Sequence, residues 1–262
     1  MLWEVVWDLL LLIVPVLIGF AFNLLRNYYK KKSIKNLLRF ENEKDETLDI
    51  NCFTANPGIR DTGELVELGY VFEYMAIGEI KSEFYEILPN GTNINVSMAN
   101  LQFEKISPTL LKNNLLVIGG PFHNAVTRDL FSKIENLPFH FEEDASLVYT
   151  YEDGTTDKYT PSLYDPNNNK DKNSFYDNDY ALILNVKSPY VKGKRIILIA
   201  GCRSVGCYGA SIYLTEHLYD IKKQIKSDEY ALVITCNGEK ENLIGKPKLC
   251  NVYPLEIKYK NK

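Results

Sequence analysis

Two stretches of this chain carry residue types, at spacings, that can hold an anionic ligand. The first is IILIAGCRSVGCYGASIYL, Ile196 to Leu214. An apolar run ends at Gly201, a short polar loop follows, and a helical pattern opens around Gly206 and Gly209. A strand that feeds a helix through such a loop leaves backbone N–H groups free beside the positive end of the helix dipole. Glycine lets the backbone come close to an anion. Ser204 adds a hydroxyl donor, and Arg203 adds a planar fork of donors that matches phosphate. This chemistry is that of a phosphate or nucleotide cradle.

The second stretch is LLVIGGPFHNAVTRDLF, Leu115 to Phe131. Gly119-Gly120-Pro121 ends an apolar run, His123 and Asn124 stand at the head of the next helical segment, and Asp129 follows within it. Open α/β sheets take ligands outside the carboxyl ends of their strands, where strand order reverses. If the two strands are parallel neighbours, both loops open on one crevice. The predicted ligand-binding set is then Gly119, Gly120, His123, Asn124, Gly201, Arg203, Ser204, Gly206 and Gly209.

Each residue also has a plainer reading. Gly201 and Gly206 can serve only a tight turn, Gly209 only close helix–sheet packing, Asn124 only a helix cap and His123 only a surface position. The loop is not G-x-x-x-x-G-K-[ST], because Cys207 stands where lysine would be, nor is it G-x-G-x-x-G. Enzymatic candidates are His123 and Asp129 as acid–base groups and Cys202 as a thiol whose pKa a helix start would lower. No G-x-S-x-G or H-E-x-x-H motif accompanies them.

On LLVIGGPFHN and LIAGCRSVGCYGA, and on the order membrane helix, linker, folded domain, the chain resembles the Rossmann-like nucleotide-sensing domains fused to membrane helices in bacterial stress and defence effectors. The resemblance implies a nucleotide or NAD-derived ligand and a sensing role. An enzyme that processes such a ligand and a membrane-tethered interaction scaffold are the alternatives.

The elements that must position these loops are legible as a pattern. LDINCFTA predicts a strand, and residues 62–84 have mainly helical apolar spacing. YEIL, INVSM and LLVIGG predict strands, and Ala125 onward predicts a helix capped by Asn124. Three segments without helical spacing follow, then a polar tract that reads as a mobile loop over 152–179. ALILNV and RIILIAG predict strands, GASIYLTEHLYDIKKQI a helix, and YALVITC and LCNVYPLEIKY closing strands. The order predicts an α/β domain over 48–262, a Rossmann-like mixed sheet with helices on both faces.

One transmembrane helix is expected before it, over residues 1–29. Leu9 to Leu25 carries no charge, with Trp3 and Trp7 at one end and Tyr28 and Tyr29 at the other. Its 17 residues, extended by Val5, Val6 and Trp7, make a helix long enough for a bilayer core of roughly 30 Å. Residues 30–47 read as a basic, then mixed-charge, stalk. The first forty residues hold six of the 30 basic and two of the 34 acidic side chains, so they carry +4 and the remainder -8. All six basic residues follow the apolar run, which predicts an outside N-terminus and a cytoplasmic domain at the cell membrane. The expected partners are the lipid bilayer, a small nucleotide-like ligand and further copies of the chain. An acidic domain argues against binding a nucleic-acid duplex. Five scattered cysteines without a C-x-x-C pair predict reduced thiols and no metal site.

Overall fold

The computed structural model describes residues 49–55, 67–88, 92–99, 106–163, 174–239 and 243–260, with isolated positions between 14 and 38. A nine-stranded mixed sheet is its centre. Strand β1 (Asp49–Ala55) leads into helix α1 (Glu67–Ile87) and strand β2 (Asn93–Ala99). A short 3-10 turn at Leu110–Lys112 precedes β3 (Asn114–Ile118) and helix α2 (Ala125–Lys133). Strands β4 (Phe139–Phe141), β5 (Leu147–Thr150) and β6 (Thr156–Tyr159) form a separate three-stranded antiparallel sheet. Then come β7 (Ser162–Leu163), β8 (Ser174–Lys187), β9 (Arg195–Gly201), helix α3 (Ser204–Gln224), β10 (Glu229–Glu239), β11 (Leu243–Ile244) and β12 (Lys248–Leu255).

The main sheet has the order β11-β10-β8-β9-β3-β1-β2, with β12 on β10 and β7 on β8. Strands β2, β1, β3 and β9 are parallel, and β8 runs against both β9 and β10. Apolar alternation puts one set of side chains on each face. Ile50, Cys52, Leu116, Ile118, Ile197 and Ile199 pack under α1 and α3. Phe53, Leu115, Val117, Ile196 and Leu198 pack under α2 and the small sheet. Burial on both faces is why these strands read as unbroken apolar runs. The architecture is thus the expected mixed α/β sheet with helices on both faces.

Three details differ from the sequence pattern. YEIL is the last turn of α1, because Phe84, Ile87 and Leu88 continue its buried stripe. The polar tract contains β6, β7 and the first half of β8, so a segment rich in Asp and Asn pairs as strand along β10. Helix α3 begins at Ser204, inside the predicted loop.

The expected membrane span and stalk lie almost entirely outside the described residues. Among the described residues, no helix is long and apolar enough to cross a membrane. The described positions of the apolar segment, among them Leu17, Ile18, Phe20, Phe22, Leu24 and Leu25, are helical and exposed. Leu38 is instead fully buried in the core under α1 and α3, and its carbonyl accepts a bond from Asn185 Nδ2 at 3.5 Å.

Candidate functional site

The two glycine junctions lie side by side. Strands β3 and β9 are hydrogen-bonded parallel neighbours, with Ile118 opposite Ile199. Gly119 N–H donates to Ile199 O at 2.9 Å, and a Cβ on Gly120 would stand 3.1 Å from Gly201 O. The chain leaves β1 for β2 on one side and places β3 on the other, so strand order reverses next to this edge. Open α/β sheets form ligand crevices at such a reversal, which here lies between β1 and β3, one strand over from the β3–β9 pair.

The first junction is shaped from within. Gly119 has φ +118°, a conformation L side chains rarely adopt, and the Glu73 carboxylate from α1 lies 3.2 Å from where its Cβ would be. Asn124 is fully buried and caps α2, accepting from Val126 N–H at 2.9 Å and Thr127 N–H at 3.3 Å. Its Nδ2 donates to Ile118 O at 3.0 Å, and Thr127 Oγ1 donates to Gly119 O at 2.8 Å. All polar atoms of the Asn124 side chain thus face the fold. Phe122 and His123, between the glycines and the cap, are exposed at the rim. Asp129 turns to the other side of α2, where it pairs with Lys133 at 2.8 Å and accepts from Tyr190 Oη at 2.8 Å.

The second junction already holds a carboxyl group of the protein's own. Asp179, on β8 and fully buried, faces the start of α3. Its Oδ2 accepts from Gly206 N–H at 2.5 Å, and its Oδ1 from Arg203 N–H at 3.2 Å and Tyr180 N–H at 2.8 Å. Two of the N–H groups that would cradle a phosphate, those of Arg203 and Gly206, are therefore engaged by this carboxyl group. Burial pushes the Asp179 carboxyl up to about 7, against the pull of the three N–H donors and the Arg203 charge.

The glycines around it serve close packing. A Cβ at Gly206 would collide with Tyr180 O, and one at Gly209 would lie 2.8 Å from Cys236 Cβ. At Gly201 a Cβ would meet Cys207 N at 2.7 Å. Arg203 is the N-cap of α3 without a side-chain capping bond; it is half-buried, and its Nε is buried without a hydrogen-bond partner. Ser204 is half-buried on the first turn. Cys202 is buried, and burial and the nearby Asp179 charge push its thiol well above the ordinary range, opposite to the lowering expected at a helix start. The dipole does not act on a solvated thiol here, because Cys202 points into the apolar layer beside Tyr159 O.

Two acidic residues of this site escape the motif reading: Asp179 and Glu73. Both had a signal. Asp179 shares strand parity with Ala181 and Ile183, which face the core, and Glu73 lies on the helical stripe of Ile77, Ile80, Phe84 and Ile87. An acid on a buried stripe marks either a pairing or a function. Both charges also reach the buried Cys207 thiol, which places them around the same turn of α3. Among the described residues, no cluster of His, Cys, Asp and Glu could hold a metal ion. No protein-family model matches the chain, and none of the curated proteins compared matches its sequence.

Proposed function

We propose that this protein is a single-pass, membrane-anchored sensor or effector whose α/β domain binds a small nucleotide-like ligand at the β3–β9 edge. The observation that carries the proposal is the parallel pairing of β3 and β9, which brings Gly119–Gly120 and Gly201–Ser204 to one edge beside the strand-order reversal. Because Asp179 engages the N–H groups of α3, the ligand's anionic group meets the Arg203 guanidinium and the Ser204 hydroxyl instead. Phe122 and His123 offer the ring surfaces for a base. Sensing is favoured over turnover because Asp129 is tied to Lys133 and Tyr190 and because burial keeps Cys202 protonated. The anchor is supported by the bare apolar positions from Leu17 to Leu25 and by the basic residues that follow them. The same basic flank favours a cytoplasmic domain.

The test uses the full-length chain in detergent micelles and a panel of nucleotides, cyclic and linear oligonucleotides, NAD and ADP-ribose. A ligand at 100 times its dissociation constant adds about 2.7 kcal/mol to unfolding stability. The expected result is a shift with one class of compound, recovered chemically intact, and lost in both Arg203→Ala and His123→Ala. Gly206→Val is unsuitable, since its side chain would strike Tyr180 O with or without a ligand. No shift with any compound, or a shift that survives both variants, overturns the proposal.

A further inference from the structure

Helix α1 has a second apolar stripe that nothing among the described residues covers. Its inner face, with Ala76, Ile77, Ile80 and Phe84, is buried against the sheet. On the opposite side, Val71, Met75, Gly78, Ser82 and Tyr85 follow one another at the alternating four- and three-residue steps of a heptad seam. Val71 and Tyr85 are 51% and 50% exposed, Gly78 and Ser82 are exposed, and Met75 is half-buried. None of the five is charged, which is unusual for the solvent side of a surface helix.

Gly78 adds a separate observation. Glycine in mid-helix destabilises by roughly 0.5–1 kcal/mol relative to alanine. Elsewhere in this fold a glycine is demanded by a neighbour, as at Gly209 against Cys236. Around the place a Gly78 Cβ would take there is nothing within 4 Å. No described neighbour requires this glycine; a helix packed closely across it would.

The charges beside the seam select the partner and its direction. Lys81 flanks Ser82 on one edge, and Glu86 flanks Tyr85 on the other. In a parallel pair of identical helices, each edge faces the opposite edge of the other helix, and the facing positions are offset by the five residues that separate Lys81 from Glu86. In an antiparallel pair, like edges face each other and the lysines meet. The chain path agrees. A helix joining parallel strands runs against them, so α1 descends toward the edge where Leu38 is buried beside Asn185. Two copies held in one orientation by the proposed anchor stand with their α1 helices parallel.

We propose that a second copy of this chain packs along the outer seam of α1, parallel and two-fold symmetric, with Lys81 of each copy facing Glu86 of the other. The pairing is independent of ligand and stands apart from the binding site at the β3–β9 edge.

The experiment is sedimentation of the full-length chain in detergent, without nucleotide, across a concentration series. The wild type is expected to associate to a dimer. Lys81→Glu and Glu86→Lys each replace two attractive contacts by two repulsive ones and weaken the dimer about tenfold. The combined Lys81→Glu/Glu86→Lys chain restores it. Gly78→Leu, which suits an isolated helix, also weakens association, and circular dichroism checks that each variant stays folded. A wild type that is monomeric at the highest attainable concentration, a dimer indifferent to all these changes, or a combined variant no stronger than the single ones overturns the proposal. Because no nucleotide is present, failure here leaves the ligand reading standing, and failure of the ligand panel leaves the dimer standing.

Discussion

Asp179 makes the stability of this protein depend on pH in a direction that can be stated in advance. In the unfolded chain its carboxyl titrates near the ordinary 3.8, and in the fold burial pushes it up to about 7. The groups around it are Arg203 at the start of α3, Cys202 in the preceding loop, Cys207 within α3, Cys236 on β10 and Tyr180 beside it. Of these only Arg203 is charged, because burial holds the thiols protonated, and the Glu73 carboxylate stands on the far side of Cys207. Between the two pKa values the folded chain keeps a proton that the unfolded chain has released. This group's contribution is therefore full below the ordinary carboxyl range and is lost as pH rises through the folded value. A shift of about three units corresponds to about 4 kcal/mol. Asp179→Asn cannot ionise and removes the dependence. Its Oδ1 can still accept two N–H groups, while its Nδ2 meets Gly206 N–H donor to donor, a fault of about 1–3 kcal/mol. Urea unfolding of both proteins from about pH 4.5 to about pH 8 cancels every other titrating group in the difference. The wild type should lose about 3 kcal/mol relative to the variant across that range, the rest of the shift lying below about pH 4.5. A constant difference, or a wild type that gains toward alkaline pH, would refute the reasoning. It would mean that the N–H donors and Arg203 hold the carboxylate ionised despite its burial.

Gly209→Ala places a methyl group against Cys236 and should cost about 1–3 kcal/mol in urea unfolding. Asn124→Ala removes the cap of α2 and should cost about 2 kcal/mol, with faster hydrogen exchange at the Val126 and Thr127 amides. An alkylating reagent applied to the native protein at mildly alkaline pH should label the exposed Cys250 first and reach Cys202, Cys207 and Cys236 only on unfolding. Asn185→Leu removes one acceptor of the buried Arg195, bonded by its Nε and Nη2 at 3.0 and 2.8 Å, while Asp228 O still accepts from Nη2, and should cost about 1–3 kcal/mol. The same change removes the donor to Leu38 O, so proteolysis near Leu38 should quicken in the native state.

Much of this fold was legible because its strands are buried on both faces. LLVI and IILIA are runs that only a central strand can use, and the glycine after each marks where a parallel strand ends. That two such junctions would meet was conditional on strand order, which pattern alone does not set. The polar tract misled for a physical reason. DNDY looks like loop, yet in β8 alternate residues point inward and Asp179 exchanges water for three backbone donors. Composition records polarity, whereas the pairing of a polar group with a helix start is a tertiary fact. The glycines of α3 show the same limit. Gly206 and Gly209 read equally as ligand contacts and as packing contacts until Tyr180 and Cys236 are seen against them.

Strand β8 joins the two ends of the molecule. Asp179 holds the start of α3 at the carboxyl ends of β3 and β9, and Asn185, six residues on, ties Arg195, Tyr230 and Leu38 together at the opposite end of β9. The strand is bonded to both β9 and β10, so neither cluster can slide without the sheet. A ligand at Arg203 and Ser204 therefore acts on the first turn of α3 more readily than on β8. Helix α3 packs along α1, with the Tyr208 and Phe72 rings 5.9 Å apart and Thr215 Oγ1 donating to Glu79 at 3.3 Å. If the ligand site and the α1 seam are both as proposed, this contact couples them. Linkage then demands reciprocity: a ligand that tightens the dimer by some factor must bind the dimer more tightly than the monomer by that same factor. Measuring the dimer constant with and without saturating ligand, and the ligand constant of the wild-type dimer against that of Lys81→Glu diluted below its association range, gives two independent values of one coupling. A factor of one in both measurements would separate the two sites.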